Sequence, residues 1–145
     1  MKRFKYSLEN VLHYKEQILD SIKAEHGTLL AQIRKKEAEI QELENKLVSA
    51  QNKMDDLKKQ DVQIKDICLY GMYISEMEDQ IRKKQEQLKL LQQQEEKKKE
   101  QVIAAKIDTS RYEKLKDRRQ SEYEKAARIC FKNSQVFSKQ GGGLG

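Results

Sequence analysis

The chain has 145 residues, with no proline, no tryptophan and six glycines, four of which lie among the last five residues. Charged and apolar residues each make up 37% of the sequence, and the formal net charge is +6. Compact domains usually draw their turns from Gly and Pro, and sheets draw on β-branched and aromatic residues. Because both sets are sparse here, the composition predicts an all-α protein with long helices. It argues against most enzymes, since it supplies little material for a pocket that excludes water.

The distribution of charge and cysteine limits the classes of partner and compartment. The basic excess lies mainly in residues 106–132 and is less dense than in a dedicated nucleic-acid binder, so we expect no nucleic-acid partner. Cys68 and Cys130 match no metal or redox spacing, and we expect free thiols in a reducing cytoplasm. No apolar segment follows the basic N-terminus, and none approaches the roughly 20 residues that span a bilayer. We therefore expect a soluble, cytoplasmic protein without direct membrane insertion.

A heptad pattern begins at Leu8 and predicts a first helix. Fourteen of eighteen positions reached by steps of alternately four and three residues are apolar. These positions are Leu8, Leu12, Lys15, Leu19, Ile22, His26, Leu29, Ile33, Lys36, Ile40, Leu43, Leu47, Ala50, Met54, Leu57, Asp61, Ile64 and Cys68. Most flanking residues are Lys, Glu, Gln and Asn. A helix with this pattern must bury the stripe against another helix.

A second run with the same spacing predicts a second helical stripe. Its positions are Ile67, Tyr70, Ile74, Met77, Ile81, Lys84, Leu88, Leu91, Glu95, Lys98, Val102 and Ala105. Beyond Ala105 the apolar pattern shifts, and Tyr112, Leu115, Ala126 and Ile129 fit a displaced stripe. A phase shift of this kind locally changes the winding of a coiled coil.

The two runs fit a hairpin better than one long helix. A single helix of about 130 residues would be roughly 200 Å long and would need a partner chain throughout. The favoured break is at residues 58–62, where Asp61 can act as the N-cap of a second helix; Gly71 marks the competing break. We expect one antiparallel two-helix coiled coil over residues 1–138, with helix 1 at about 4–58, a turn at about 59–61 and the longer helix 2 at about 62–135. Residues 139–145 are expected to form a flexible Gly-rich tail.

A turn near residue 60 fixes the expected pairing, in which residue x faces roughly 120 − x. Most layers are then apolar, but Lys36 falls near Lys84 and His26 near Glu95, and such polar layers fix the register. Helix 2 would overhang helix 1 by about 20 residues. The residues Tyr112, Leu115, Tyr123 and Ile129 would then need a partner supplied in trans, or closure by Phe4, Tyr6 and Leu8.

Motifs that carry chemistry are missing from the sequence. The glycine pattern that cradles phosphates does not occur, and His13 and His26 lack the neighbours that would make a metal site. We therefore predict no catalytic residue, no metal and no cofactor. The cluster of Tyr70, Met72 and Tyr73 is a candidate contact surface, although it could equally pad the margin of the coiled coil.

Three segments together resemble the flagellar type III export protein FliJ family. Residues 4–12, followed by Tyr14-Lys15-Glu16, are similar to the family's opening F-x-[FY]-x-L-x-x-[VL]-L pattern. The aromatic-rich stretch from Tyr70 to Ile81 is similar to the start of the family's second helix. The stretch from Tyr112 to Tyr123 resembles the family's E-[KR]-L-[KR]-x-[KR] segment. The chain departs from the family in its last fifteen residues, which lack the usual acidic end.

The resemblance implies a hairpin like the central stalk of rotary ATPases. It implies insertion of the paired termini into a hexameric export ATPase ring, contact with the cytoplasmic domain of the export gate, and escort of export chaperones at the cytoplasmic face of the cell membrane. Carried over by position, the ring-binding set is Phe4, Tyr6, Leu8, Tyr112, Leu115, Arg118, Arg119 and Tyr123. The gate-binding set is Leu43, Lys46, Tyr73, Met77 and Gln80.

Two other functions remain open from the sequence. A stalk protein of a virulence type III secretion system would share the fold and the role. A dimeric scaffolding coiled coil would instead pair its heptads between chains. A stalk is expected to be a monomer, whereas the scaffold is expected to be a dimer about 200 Å long.

Overall fold

The computed structural model describes the backbone of residues 3–141 and the side chains of residues 3–137. It contains two α-helices, α1 (Glu9–Lys58) and the longer α2 (Ile64–Gly141), and residues 3–141 include no strand. The helices contact each other along an antiparallel hairpin, which confirms the predicted fold class. The expected glycine-rich tail begins within α2, and its residues 142–145 lie outside the described part of the chain.

The first heptad stripe is the buried face of α1. All fifteen of its positions from Leu8 to Leu57 are buried or half-buried. The last three positions of the run, Asp61, Ile64 and Cys68, are exposed, so the stripe does not continue through them as the pattern predicted. The reason is that α1 ends at Lys58 and the chain reverses, which breaks the period.

The second stripe is the buried face of α2, and it runs further than the sequence predicted. All twelve positions from Ile67 to Ala105 are buried or half-buried. The spacing then continues unshifted through Thr109, Tyr112 and Lys116, which are also buried or half-buried. Leu115 of the predicted displaced stripe is half-buried as well, whereas Ala126 and Ile129, its last two positions, are exposed. Thr109 and Lys116 in the continuing stripe are polar, so a search for apolar residues at this spacing does not find them.

The ends of the helices differ from the expectation at two points. α1 begins at Glu9 rather than near residue 4, and the N–H of Glu9 donates to the Tyr6 carbonyl at 3.1 Å. α2 begins at Ile64, so the N-cap position falls on Gln63 and not on Asp61. The Gln63 carbonyl accepts hydrogen bonds from the N–H groups of Asp66 (3.0 Å) and Ile67 (3.4 Å), which form the first turn of α2.

The described residues divide into two compact units, each containing part of both helices. The turn unit is Lys23–Glu100 and contains the link between the helices. The terminal unit consists of residues 3–22 and 101–141. In the turn unit, the hydrogen bonds Lys36–Gln87, Lys84–Glu39 and Lys98–Glu25 place residue x opposite 123 − x, close to the register expected from the sequence.

Two methionines on α2 allow a matched test of the buried stripe. Met77 is 4% exposed and Met72 is 69% exposed, and both lie in the turn unit. We expect Met77→Ala to lower the free energy of unfolding by about 2 kcal/mol, because it leaves a cavity between the helices. Met72→Ala should change it by less than about 0.5 kcal/mol. Urea unfolding followed by circular dichroism measures both values, and equal losses would contradict the assignment of the stripe.

Candidate partner-binding surfaces

The N-terminal segment of the terminal unit folds onto α2. Residues 3–8 are not helical, and Tyr6 is only 7% exposed. The Tyr6 hydroxyl donates to the Tyr112 carbonyl at 3.2 Å, and the Phe4 and Tyr123 rings lie 5.5 Å apart between centroids. The Arg119 guanidinium lies 5.9 Å from the centre of the Tyr6 ring. These contacts cover the α2 stripe as far as Tyr123.

Ion pairs tie the first turns of α1 to α2 in the same unit. The Lys116 ammonium lies 2.9 Å from the Glu9 carboxylate, and the Lys15 ammonium lies 2.6 Å from that of Asp108. These hydrogen bonds raise the pKa values of Lys116 and Lys15 above their ordinary value. The Thr109 hydroxyl donates at 2.8 Å to the Ala105 carbonyl of its own helix. Polar residues of the α2 stripe therefore have partners.

The terminal unit brings together seven of the eight predicted ring-binding residues. Phe4 meets Tyr123, and Tyr6 meets both Tyr112 and Arg119. Leu8, Tyr112 and Leu115, together with Asp108 and Arg111, line an open groove of about 350 Å³. The eighth residue, Arg118, is exposed on α2. The sequence left open whether the overhanging stripe of α2 is covered by another molecule or by the N-terminal segment. The N-terminal segment covers it at Tyr112 and Tyr123, whereas Ile129 is 61% exposed.

An exposed stretch follows at the end of α2. Every residue from Arg128 to Phe137 is exposed, including Phe131, Val136 and Phe137. The uncovered part of α2 is thus shorter than the overhang predicted from the sequence and begins beyond Tyr123. The sequence predicts an apolar stripe with Ala126 and Ile129 in this part of α2, but it does not single out Phe131, Val136 or Phe137.

The turn unit gathers all five predicted gate-binding residues around one groove. Its lining consists of Leu43, Lys46, Tyr73, Glu76, Met77 and Gln80, and its volume is about 240 Å³. Tyr73 and Lys46 also border a second groove of about 290 Å³, which Lys53 and Tyr70 help to line. The Tyr70 and Tyr73 rings lie edge to face, 6.1 Å apart. The second groove and Glu76 were not identified from the sequence, because they depend on which α1 residues face the aromatic cluster.

The polar layers of the turn unit are held by side-chain contacts between the helices and within α1. His26 Nε2 lies 2.8 Å from a Glu95 carboxylate oxygen, as the pairing predicted. Lys36 and Lys84, predicted to lie near each other, share the Glu39 carboxylate at 3.5 and 2.8 Å. The hydrogen bond from Lys84 lowers the pKa of Glu39 below its ordinary value of 4.5.

No group of three or more His, Cys, Asp and Glu side chains in the described part of the chain could hold a metal ion. Neither of the described helices is long and apolar enough to cross a membrane. Cys68 and Cys130 are exposed, free thiols.

The fold and the surfaces define the class of the protein as an all-α helical hairpin with open grooves along its paired helices. A family model described as "Flagellar FliJ protein" matches residues 4–129. The match covers most of the chain, which therefore belongs to the FliJ family and is a component of the flagellar export apparatus. Comparisons with curated proteins and with solved structures gave no match. The matched range includes both predicted residue sets and ends before Cys130.

The lowered pKa of Glu39 predicts an acid-dependent loss of stability. A carboxyl with a lowered pKa in the folded state stabilises the fold above its unfolded pKa, and this contribution is lost as the pH falls through the folded value. We expect Glu39→Gln to destabilise the protein at pH 7 and to lose less stability than the wild type below about pH 4.5. Urea unfolding at a series of pH values measures how steeply the free energy of unfolding changes with pH. Glu37→Gln, at an exposed position of α1, is the control and should keep the wild-type slope; a wild-type slope in Glu39→Gln would contradict the prediction.

Proposed function

We propose that this protein is the non-enzymatic stalk and adaptor of the flagellar type III export apparatus. The terminal unit enters the hexameric export ATPase ring, and the turn unit contacts the cytoplasmic domain of the export gate. The protein also escorts export chaperones. It acts in the cytoplasm, bound peripherally at the cytoplasmic face of the cell membrane.

One observation carries the proposal beyond family membership. Seven residues of the ring-binding set, which come from the two ends of the sequence, contact one another or line the same groove in the terminal unit. Arg118 lies exposed on the same segment of α2. A ring that surrounds this unit would meet a surface built from both ends of the chain, as the stalk proposal requires.

The groove of the turn unit supports the second contact. Its floor includes the buried Met77, and Tyr73 on its rim is half exposed at 51%. Aromatic and Met side chains with this mixed exposure are enriched where proteins bind each other. The ionic rim, with Lys46 and Glu76, can add orientation to a partner held by the apolar floor.

Coupling between ring and gate sets a thermodynamic condition. A stalk changes the equilibrium among ring states only if it binds those states with different affinity. The interhelical ion pairs and the buried stripes give each unit a defined surface with which to discriminate. The dimeric scaffold is less well supported, because the heptad stripes of α1 and α2 cover each other within one chain.

The first test measures the effect of the protein on its cognate export ATPase. We expect the wild type to stimulate ATP turnover and hexamer formation, followed together by phosphate release and light scattering. Arg118→Glu should weaken the stimulation about tenfold at a fixed subsaturating concentration, equivalent to 1.4 kcal/mol of binding energy. Arg118 is exposed, so the substitution should leave the fold intact.

Arg34→Glu is the matched control, because Arg34 is exposed in the turn unit. It should stimulate the ATPase like the wild type. A wild-type protein without any effect on turnover or ring size would overturn the stalk proposal. Equal effects of the two substitutions would overturn the assignment of ring binding to the terminal unit.

The second test addresses the gate. Tyr73→Ala should weaken binding of the isolated cytoplasmic gate domain about tenfold in calorimetry, because exposed tyrosines often dominate binding energy. Tyr14→Ala is the control, since Tyr14 is a 61% exposed tyrosine of the terminal unit. The same affinity for both variants would contradict the location of the gate contact.

A further inference from the structure

The outer face of α2 in the terminal unit carries a line of basic side chains. Seven residues follow one another at alternating spacings of three and four, so they share one face of the helix. This face lies opposite the buried stripe that contains Thr109, Tyr112 and Lys116. Six of the seven residues are basic, and all seven are exposed. They are Arg111, Lys114, Arg118, Ser121, Lys125, Arg128 and Lys132, which we call the outer basic stripe.

The charges of the outer basic stripe are not neutralised within the described chain. Among residues 3–137, the ion pairs of this part of α2 belong to Asp108 and Lys116, and no basic residue of the stripe is paired with a carboxylate. Like charges at spacings of three and four residues destabilise a helix. The stripe contains such neighbours at both of its ends, where Arg111 precedes Lys114 and Arg128 precedes Lys132. A bound anionic partner relieves this repulsion.

Two ordinary explanations of a basic helix face do not account for the stripe. Solvated faces mix charges of both signs, as the corresponding positions of α2 in the turn unit do with Glu76, Asp79 and Lys83 in succession. Basic residues also stabilise the C-terminal end of a helix, but this effect is confined to the last turn. Lys132 lies more than two turns before Gly141, the last residue of α2. The concentration of one sign of charge therefore points to a partner.

Acidic residues beside the stripe limit the width of that partner. Asp117 and Glu124 border the stripe on one side, and Glu122 borders it on the other. A flat anionic surface would meet these carboxylates together with the stripe and would be repelled by them. An α-helix is only about 10 Å wide and can meet the stripe alone. Acidic side chains at the same spacing on a partner helix would face the six cations along about 32 Å.

We propose that the outer basic stripe binds an α-helix of another protein whose acidic residues follow one another at spacings of three and four residues. Because the stripe faces away from the buried stripe of α2, this helix binds without separating α1 from α2. The inference does not rest on the proposed function, since only Arg118 of the stripe belongs to the ring-binding set. Charge holds the complex together, so it weakens as the salt concentration rises.

Binding of a synthetic helix to the full chain tests the inference. The probe is an alanine-rich fluorescent peptide with glutamates at the stripe's spacing on one face, and its control has the same composition with the glutamates distributed around the helix. We expect the wild type to bind the one-faced peptide at least about tenfold more tightly in fluorescence anisotropy. Equal affinity for the two peptides, or no binding of either, would overturn the proposal. No ATPase or gate domain is present, so this failure would leave the proposed function intact.

Two lysines of the terminal unit give a matched pair of variants. Lys125 belongs to the stripe, whereas Lys106 is exposed on another face of α2. Lys125→Glu should weaken binding of the one-faced peptide about tenfold, because it places a carboxylate against the acidic helix. Lys106→Glu makes the same change in net charge and should bind like the wild type. Equal losses would indicate attraction by net charge alone and would overturn the proposal.

Two other anionic partners are compared with the peptide at the same concentration of negative charge. Vesicles with equal parts of phosphatidylcholine and phosphatidylserine present a flat surface, and a short DNA duplex presents two rows of phosphates. We expect the full chain to bind both more weakly than the one-faced peptide at physiological salt. Tighter binding of either would assign the stripe to that surface and would overturn the proposal.

A label at the centre of the stripe locates the contact. Ser121 lies within the stripe, and Ser134 is exposed on another face of α2 in the same unit. In a chain with Cys68→Ser and Cys130→Ser, a nitroxide attached through Ser121→Cys should lose mobility when the one-faced peptide binds. A nitroxide attached through Ser134→Cys should keep its mobility. The same response at both positions would overturn the location of the site.

Discussion

The whole fold depends on the burial of one apolar stripe on each helix against the other. A hairpin of two helices has no second layer, so each stripe position faces a residue of the opposite helix or remains in water. This constraint explains why the four–three spacing is kept from Leu12 to Leu57 in α1 and from Ile67 to Lys116 in α2. It also explains why no large side chain of residues 3–137 is fully buried and why the grooves beside the stripes are open.

Polar residues within the stripes select the register rather than weaken the fold outright. His26 meets Glu95 and Lys84 meets Glu39 across the two helices, so a slip of the helices would separate both pairs. Within the described residues, no buried side-chain nitrogen or oxygen lacks a hydrogen-bond partner. A fixed register is also a functional requirement, because both candidate surfaces combine residues from α1 or the N-terminal segment with residues from α2.

The two candidate surfaces differ in what lies against the buried stripe of α2. In the terminal unit, a non-helical segment closes over α2 with aromatic contacts and the hydrogen bond from Tyr6. In the turn unit, Tyr73 stands beside a groove whose floor is the buried stripe itself. Beyond Tyr123, no described residue of the terminal unit packs on the apolar face of α2. The helix is therefore packed within the chain up to Tyr123 and exposed to other molecules after it.

The sequence by itself determined the two helices, their antiparallel pairing, the two apolar stripes up to Ala105 and the layer of His26 with Glu95, because each follows from helical period and from one reversal of the chain. The tertiary structure decided the rest. Only the structure shows that Thr109 and Lys116 belong to the α2 stripe, that α1 begins at Glu9 and that Phe4 and Tyr6 pack on α2. Periodicity counts apolar residues along one helix, whereas these features depend on hydrogen-bond and ring partners from distant parts of the chain. The same reason applies to the grooves, since their walls come from both helices.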